Sequence, residues 1–229
     1  MSTVLRGISS MATRLVLADL AADWQRAGGV PVHFESVGGV DAAKRVAAGE
    51  AFDLVVLASD AIAKLEAAGH VLPGSRVDLV HSGVAVAVPA GAALPDLSSE
   101  DTVRAAVLAA PSIGYSTGPS GTALLALFER WGLRNQLADR LQQAPAGVPV
   151  AALVARGEIA LGFQQLSELI HVPGIQIAGA LPPAIAIDTI FSGAVCSRGG
   201  QPEAARALLA YLASPAAAGA KQRQGMAPA

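Results

Sequence analysis

The chain has 229 residues, 52% hydrophobic and 15% charged, with a formal net charge of −2. That length supports one large domain or two small lobes with a real buried core, and the absence of any basic block argues against nucleic acid or an anionic membrane surface as a partner. No apolar stretch reaches the ~18–20 residues needed to cross a bilayer, which argues against membrane insertion, and the single cysteine excludes an internal disulfide or a thiolate-rich metal site.

The first half reads as strand–helix units. Thr3–Ile8 predicts a strand almost at the N-terminus. No basic start, long apolar stretch and small-residue cleavage site stands before it. As it stands the chain is therefore expected in the cytoplasm, or in the periplasm if a signal segment precedes Met1. Met11, Leu15, Ala18 and Ala22 recur at helical spacing, and Gly28-Gly29 stops that helix. Pro31–Ser36 predicts a second strand and Val37-Gly38-Gly39 a tight turn, after which Asp41 opens a helix ending at Gly49. Phe52–Leu57 is continuously apolar, as expected for a parallel strand covered on both faces. Ser59-Asp60 is expected to cap the next helix, which closes at Gly69. Three strands alternating with three helices argue for a doubly wound α/β lobe.

Further on, Gly83–Val88 predicts a strand, and Ser99 begins a capped helix with Val103 and Val107 inward. The strand Ile113–Tyr115 follows, then the glycine-rich loop Ser116–Thr122, which enters an amphipathic helix with Leu124, Leu127, Phe128 and Trp131 on one face. Val148–Gly157 predicts a helix and Glu158–Phe163 a strand. Ile185–Cys196 reads as a long strand, in which Cys196 is a core residue. Ala205, Leu208, Leu209 and Leu212 form one face of a helix that Ser214-Pro215 breaks, and a small-residue helix ends near Gly225-Met226.

In open α/β sheets ligands bind at the carboxyl ends of the strands. The residues there are Ser9 and Ser10, then Ser36, Gly38 and Gly39, then Ser59, then the loop holding Ser120 and Gly121, then Gln164 and Gln165. This set offers hydroxyls, amides and backbone N–H groups at helix starts, with few carboxylates and no cluster of His or Cys. Helix N-termini present unpaired donors and a positive dipole end. One such terminus is usually only a cap; the repetition after strand upon strand points to an anion, held without metal or cofactor.

Arg6 stands out inside an apolar strand, where an unpaired charge costs several kcal/mol. It either reaches the surface or pairs with Glu35, or it grips a carboxylate bidentately. Lys44 and Arg45 either form a solvated helix face or lean one cation over the site. Gly118-Pro119-Ser120-Gly121 is neither a nucleophile elbow nor a Lys-Ser/Thr phosphate loop. His33, His70, His81 and His171 are scattered and make no metal-ligand spacing.

In order and spacing these residues resemble the molybdate-binding protein family of type II periplasmic binding proteins. The likeness runs through Ser9, Phe34–Gly39, Ala43–Gly49, the strand entered by Asp53, Pro119-Ser120-Gly121, Arg156-Gly157-Glu158, Leu212–Pro215 and Gly225-Met226. The resemblance implies an α/β fold of two lobes, each a mostly parallel sheet flanked by helices. Two crossover strands join the lobes, and a ligand cleft lies between them and closes by a hinge. It implies lobe I at 1–80 plus 192–229 and lobe II at 81–191. It implies ligand contacts at Ser9, the Gly38-Gly39 turn, Ser120, near Val148, and Gln165. Here Val-Gly-Gly replaces the family's serine-rich turn, and Gln165 replaces its tyrosine. Arg6 and Ser10 replace small or apolar residues. These departures shift the expected ligand from a metal oxyanion toward an organic carboxylate. The family's relatives also include isomerases of tricarboxylic acids such as aconitate, and this chain is compatible with that branch.

Two functions follow as expectations. One is a solute-binding protein that closes on a small anion and serves an ABC transporter if exported, with a monomer favoured. The other is an isomerase of a small di- or tricarboxylic acid, whose base would come from Glu35, Lys44 or His33. No segment resembles the DNA-reading helix pair of a ligand-sensing regulator.

Overall fold

The computed structural model describes residues 4–145 and 147–229; Thr3, the expected start of the first strand, lies outside them. In chain order the elements are β1 (Leu5–Ser10), α1 (Arg14–Arg26), β2 (Val32–Val37), α2 (Gly39–Ala47), β3 (Leu54–Ala58), α3 (Ser59–Ala67), β4 (Val77–Pro89), α4 (Glu100–Ala109), β5 (Ile113–Tyr115), α5 (Pro119–Arg130) and α6 (Arg134–Leu137). Then come β6 (Leu141–Gln143), α7 (Val150–Ala155), β7 (Leu161–Gln165), β8 (Ile175–Ala180), β9 (Asp188–Val195), α8 (Pro202–Ala213), α9 (Ala218–Arg223) and β10 (Ala227–Pro228). The described residues divide into two compact units. The first runs to Ser82 and resumes with Thr189–Ala229, and the second is Gly83–Asp188. The chain thus passes between units twice, within β4 and at the start of β9.

In the first unit β1 pairs in parallel with β2 and with β3, and β9 pairs antiparallel with β3. Side chains alternate across the sheet, which separates two cores. Leu5, Leu54 and Val56 pack with Val16, Leu17 and Leu20 of α1 and with Leu208, Leu209 and Leu212 of α8. Ile8, Val55 and Leu57 pack on the other face with Ala42 and Val46 of α2 and Ile62 and Leu65 of α3. Cys196 belongs to this second core, and its thiol is pushed up to about 12 by burial and by the nearby Asp53 carboxylate.

In the second unit β5 pairs in parallel with β6 and β7, while β4 pairs antiparallel with β7 and with β8. Val103 and Val107 of α4 and Leu124, Leu127 and Phe128 of α5 bury against Val86, Ile113 and Phe163. Val150 and Val154 of α7 form a smaller core with Ile159. Ser99 caps α4 by accepting from the Thr102 amide, and the Thr102 hydroxyl accepts in turn from the Ser99 N–H, a reciprocal capping box.

Several local expectations shift. The inward face of α1 is Val16, Leu17 and Leu20, whereas Ala18 and Ala22 are exposed. In a run so rich in Ala and Leu, two helical stripes are nearly equally apolar, and the larger side chains take the core. Ser9 and Ser10 end β1 rather than follow it, and Gly39 is the first residue of α2. Ser120 and Gly121 lie in the first turn of α5, which starts at Pro119 behind Gly118. Ile185 belongs to a short 3-10 turn, and β9 begins at Asp188. The expectation that Ser59 caps α3 is corrected: Ala58 is the N-cap, and Ser59 is the first helical residue. Strands β6 and β8 have no counterpart in the sequence reading.

Candidate functional site

The polar strand ends of the first unit come together where β1 and β2 meet the start of α2. Parallel register sets Ser9 beside Ser36, and their hydroxyls share a hydrogen bond of 2.9 Å. Ser9 also lies 3.3 Å from the Ser10 carbonyl oxygen, which accepts from Thr13 as well. One hydroxyl carries one proton. If Ser9 donates to that carbonyl, Ser36 must donate to Ser9; if Ser9 donates to Ser36, the Ser36 proton is free. The pair thus has at most one proton to give.

Ser10 is different. Its residue is 7% exposed, and its Oγ is buried without a hydrogen-bond partner. Leaving such a hydroxyl unmet costs about 1–3 kcal/mol. Gly39 faces it: a Cβ built on Gly39 would stand 3.6 Å from the Ser10 Cβ and 3.9 Å from Leu57 Cδ2, which is ordinary contact. Neither crowding nor a left-handed backbone forces glycine at Gly39. The first amides of α2 therefore lie beside an unsatisfied hydroxyl at the positive end of a nine-residue helix. The Asp41 carboxylate stands in the same first turn of α2, so the unmet donor here among the described residues is the Ser10 hydroxyl.

The second unit has its own polar strand ends. The Ser116 and Ser120 hydroxyls pair at 3.0 Å at the junction of β5 and α5. A Cβ on Gly121 would meet the Ser116 carbonyl oxygen at 1.9 Å, so Gly121 is a packing requirement of this strand–helix turn. Gln164 is buried and fully employed: its Oε1 accepts from the Ala151 amide at 3.0 Å, and its Nε2 donates to Glu168 at 2.9 Å. It positions the start of α7. Gln165, the next residue, is buried at the end of β7. The Val148 amide donates to the Pro145 carbonyl at 3.0 Å, so that N–H is already used.

Arg6 stands apart, and Ser59 is engaged by a cation. Arg6 lies three residues before Ser9, about 10 Å along the strand. It is exposed, with its guanidinium carbon 5.4 Å from the centre of the Phe52 ring at the opposite edge of the sheet. The structure does not bring it to Ser9 and Ser10. Ser59 is near their end of the sheet, where its hydroxyl accepts from Arg76 Nη2 and keeps its own proton to give. Arg76 is the residue that the sequence reading missed; one Arg before a strand carries no periodic signal.

The expected bases are poorly placed. Glu35 is ion-paired to Arg45 through contacts of 2.5 and 3.0 Å, and that bond holds its carboxyl below the usual range. His33 pairs in register with Arg6, at the far edge, and is exposed. Lys44 is exposed on α2. Among the described residues no group of three or more His, Cys, Asp or Glu could hold a metal ion. No helix among them is long and apolar enough to cross a membrane.

Mixed α/β units whose helix starts and hydroxyls gather at strand ends define a periplasmic-binding-protein-like fold. Solved structures agree. The periplasmic molybdate-binding protein of Azotobacter vinelandii superposes with a TM-score of 0.82 over 97% of this chain and 98% of that one, at 21% identity. The sulfate-binding protein SubI of Mycobacterium tuberculosis does so at 0.78 over 99% and 87%, at 18% identity. The chain belongs to the family of bacterial extracellular solute-binding proteins, whose profile matches residues 5–227. It is also 41% identical, over 232 residues, to an aconitate isomerase of Pseudomonas sp., an alignment covering 99% of this chain and 88% of that protein.

Proposed function

We propose that this chain binds a small carboxylate of the aconitate class at the strand-end donors around Ser10. The observation that carries the reading is the Ser10 hydroxyl, buried without a partner beside the first amides of α2. An anionic oxygen satisfies both donors at once, and charge-assisted hydrogen bonds are roughly twice as strong as neutral ones. The 41% identity to an aconitate isomerase supports a carboxylate over an inorganic oxyanion. If the chain is exported, an ABC transporter is the partner that would take up the ligand.

A thermal-shift screen against molybdate, tungstate, sulfate, citrate, cis-aconitate and trans-aconitate tests this. A ligand at 100 times its dissociation constant stabilises the fold by about 2.7 kcal/mol. The expected result is a rise in melting temperature with the carboxylates; a response confined to molybdate and tungstate defeats the reading.

The same relative favours a second reading, isomerisation of the bound acid. A base would remove a proton from the methylene carbon, the double bond would move over by one carbon, and a proton would return to the former vinyl carbon. Such a base must stand within hydrogen-bond reach of that carbon's proton. Incubation of cis-aconitate with protein decides it: appearance of the trans isomer supports an enzyme, and an unchanged substrate leaves a binding protein.

A further inference from the structure

We infer that Arg76 is the cation of this site and selects for ligands carrying two or more carboxylates; the inference rests on the carboxylate reading given above. Alternation places Ser10 and Leu57 on one face of the sheet, the face covered by α2 and α3, while Ser9 and Ser36 point to the other, and Ser59 opens α3 just past the end of β3. β1 and β3 are neighbouring parallel strands with Ser9 level with Val56, so Ser10 is level with Leu57, and Ser59, two residues further on at the start of α3, stands roughly 8 Å from Ser10. Arg76 precedes β4, and its side chain reaches that strand end, where Nη2 donates to the Ser59 hydroxyl.

The guanidinium is held but not neutralised. Its only ion pair among the described residues is to Asp78, with Nε and Nη2 each 3.4 Å from the same oxygen. That oxygen is already committed to Ser192, whose hydroxyl donates to it at 2.5 Å. Nη1 has no hydrogen bond among the described residues, and the side chain is 32% exposed. Arg45, by contrast, is closed by two carboxylates. A carboxylate arriving at Arg76 would exchange two long contacts for a bidentate pair.

The spacing sets the selectivity. The first anionic group of a ligand meets neutral donors at Ser10 and Gly39. A second, beyond the end of the neighbouring strand, meets Arg76. Two carboxylates on a short carbon chain can take both positions, whereas one tetrahedral oxyanion or one monocarboxylate takes only the first.

The test is titration calorimetry of cis-aconitate with the wild-type chain, Ser10→Ala, Arg76→Met and Arg76→Lys. Arg76→Met is expected to raise the dissociation constant tenfold or more. Arg76→Lys, which keeps the charge and loses the fork, should raise it at least threefold, and it serves alone if the Met variant does not fold. Ser59→Ala, which frees the guanidinium, should weaken binding by less. If Ser10→Ala weakens binding and both Arg76 variants match wild type, the site stands and Arg76 is not part of it. If the wild-type chain binds no carboxylate, the underlying reading fails and this inference falls with it.

Discussion

The two edges of the first unit's sheet are equally polar and entirely different in what they leave undone. At the edge where β1 and β3 begin, the buried Asp53 carboxylate accepts from the Arg6 amide at 2.8 Å, Gly200 at 3.0 Å and Gln201 at 3.2 Å. It thereby ties the first strand to the N-terminus of α8. Arg45 bridges Glu35 and Glu50, and Arg6 and Arg45 both rest on the Phe52 ring. At the edge where the strands end, the Ser10 hydroxyl has no partner and Arg76 has a loose one. Polar residues at a strand end do not mark a site by themselves. Unmet hydrogen-bond capacity does, because a fold tolerates its cost only where something else repays it.

Removing Asp53 breaks this comparison most sharply. Asp53→Ala orphans three amides that now bond to a charged acceptor, so the loss should reach about 3 kcal/mol or more. For a chain of this size that lowers the melting temperature by roughly 6–12 °C. The dissociation constant of the protein that remains folded should not change, and calorimetry below the transition checks this. Ser10→Ala should do the reverse. Deleting a buried hydroxyl without a partner leaves stability unchanged or raises it by up to about 1 kcal/mol. Carboxylate affinity should fall about tenfold, or about 1.4 kcal/mol. A clear loss of stability in Ser10→Ala without loss of binding would show that the hydroxyl serves the fold.

This contrast also marks where sequence stops being readable. The helix face Ala205, Leu208, Leu209 and Leu212 is buried as its spacing predicts, because large aliphatic side chains at 3.6-residue intervals have one efficient arrangement. The strand Ile113–Tyr115 is likewise where turn residues on both sides put it. The stripe on α1 was misplaced because alanine is nearly indifferent to burial. β8 escaped because its Ile175-Gln176-Ile177 alternation is short and runs into the small residues Ala178-Gly179-Ala180. For the site, Ser9, Ser10, Gly38 and Gly39 could be named from their places after strands. Which hydroxyl has a partner could not, because that depends on a residue far away: Ser36 for Ser9, Arg76 for Ser59, and none among the described residues for Ser10. Arg6 looked costly inside a strand, yet the strand end and an aromatic ring let it reach water.

Lys221 extends the comparison to charge. It is 1% exposed among Val16, Leu17, Leu20 and Leu212, and among the described residues its amine donates only to the Leu79 carbonyl, at 2.8 Å. Burial lowers its pKa from the ordinary lysine value. Between the lowered folded value and about 10.4 the unfolded chain binds the extra proton, so stability contributed at this position rises with pH through that window and is lowest below it. Lys221→Met keeps the stem and removes the amine, so it should be neutral or stabilising by about 1 kcal/mol at pH 7. It should also flatten the rise in stability on the alkaline side. Urea midpoints of both proteins from pH 7 to 10 check the slope; parallel curves would mean that the amine is no burden.

The smallest effect is expected at Arg6, where it sharpens the distinction between the two edges. Its guanidinium lies on Phe52 in the open, an arrangement worth about 0.5–1 kcal/mol. The Arg6 backbone amide, not its side chain, makes the bond to Asp53, so truncation leaves that bond in place. Arg6→Ala should therefore cost less than about 1 kcal/mol and leave carboxylate affinity where it was. The side chain also adds to the field that keeps Glu35 ionised, but the hydrogen bond from Arg45 is the larger cause, so Glu35 should stay charged at neutral pH in the variant. A tenfold loss of affinity in Arg6→Ala would move the ligand to the edge where the strands begin, and Ser10 would then be an unmet hydroxyl without a purpose.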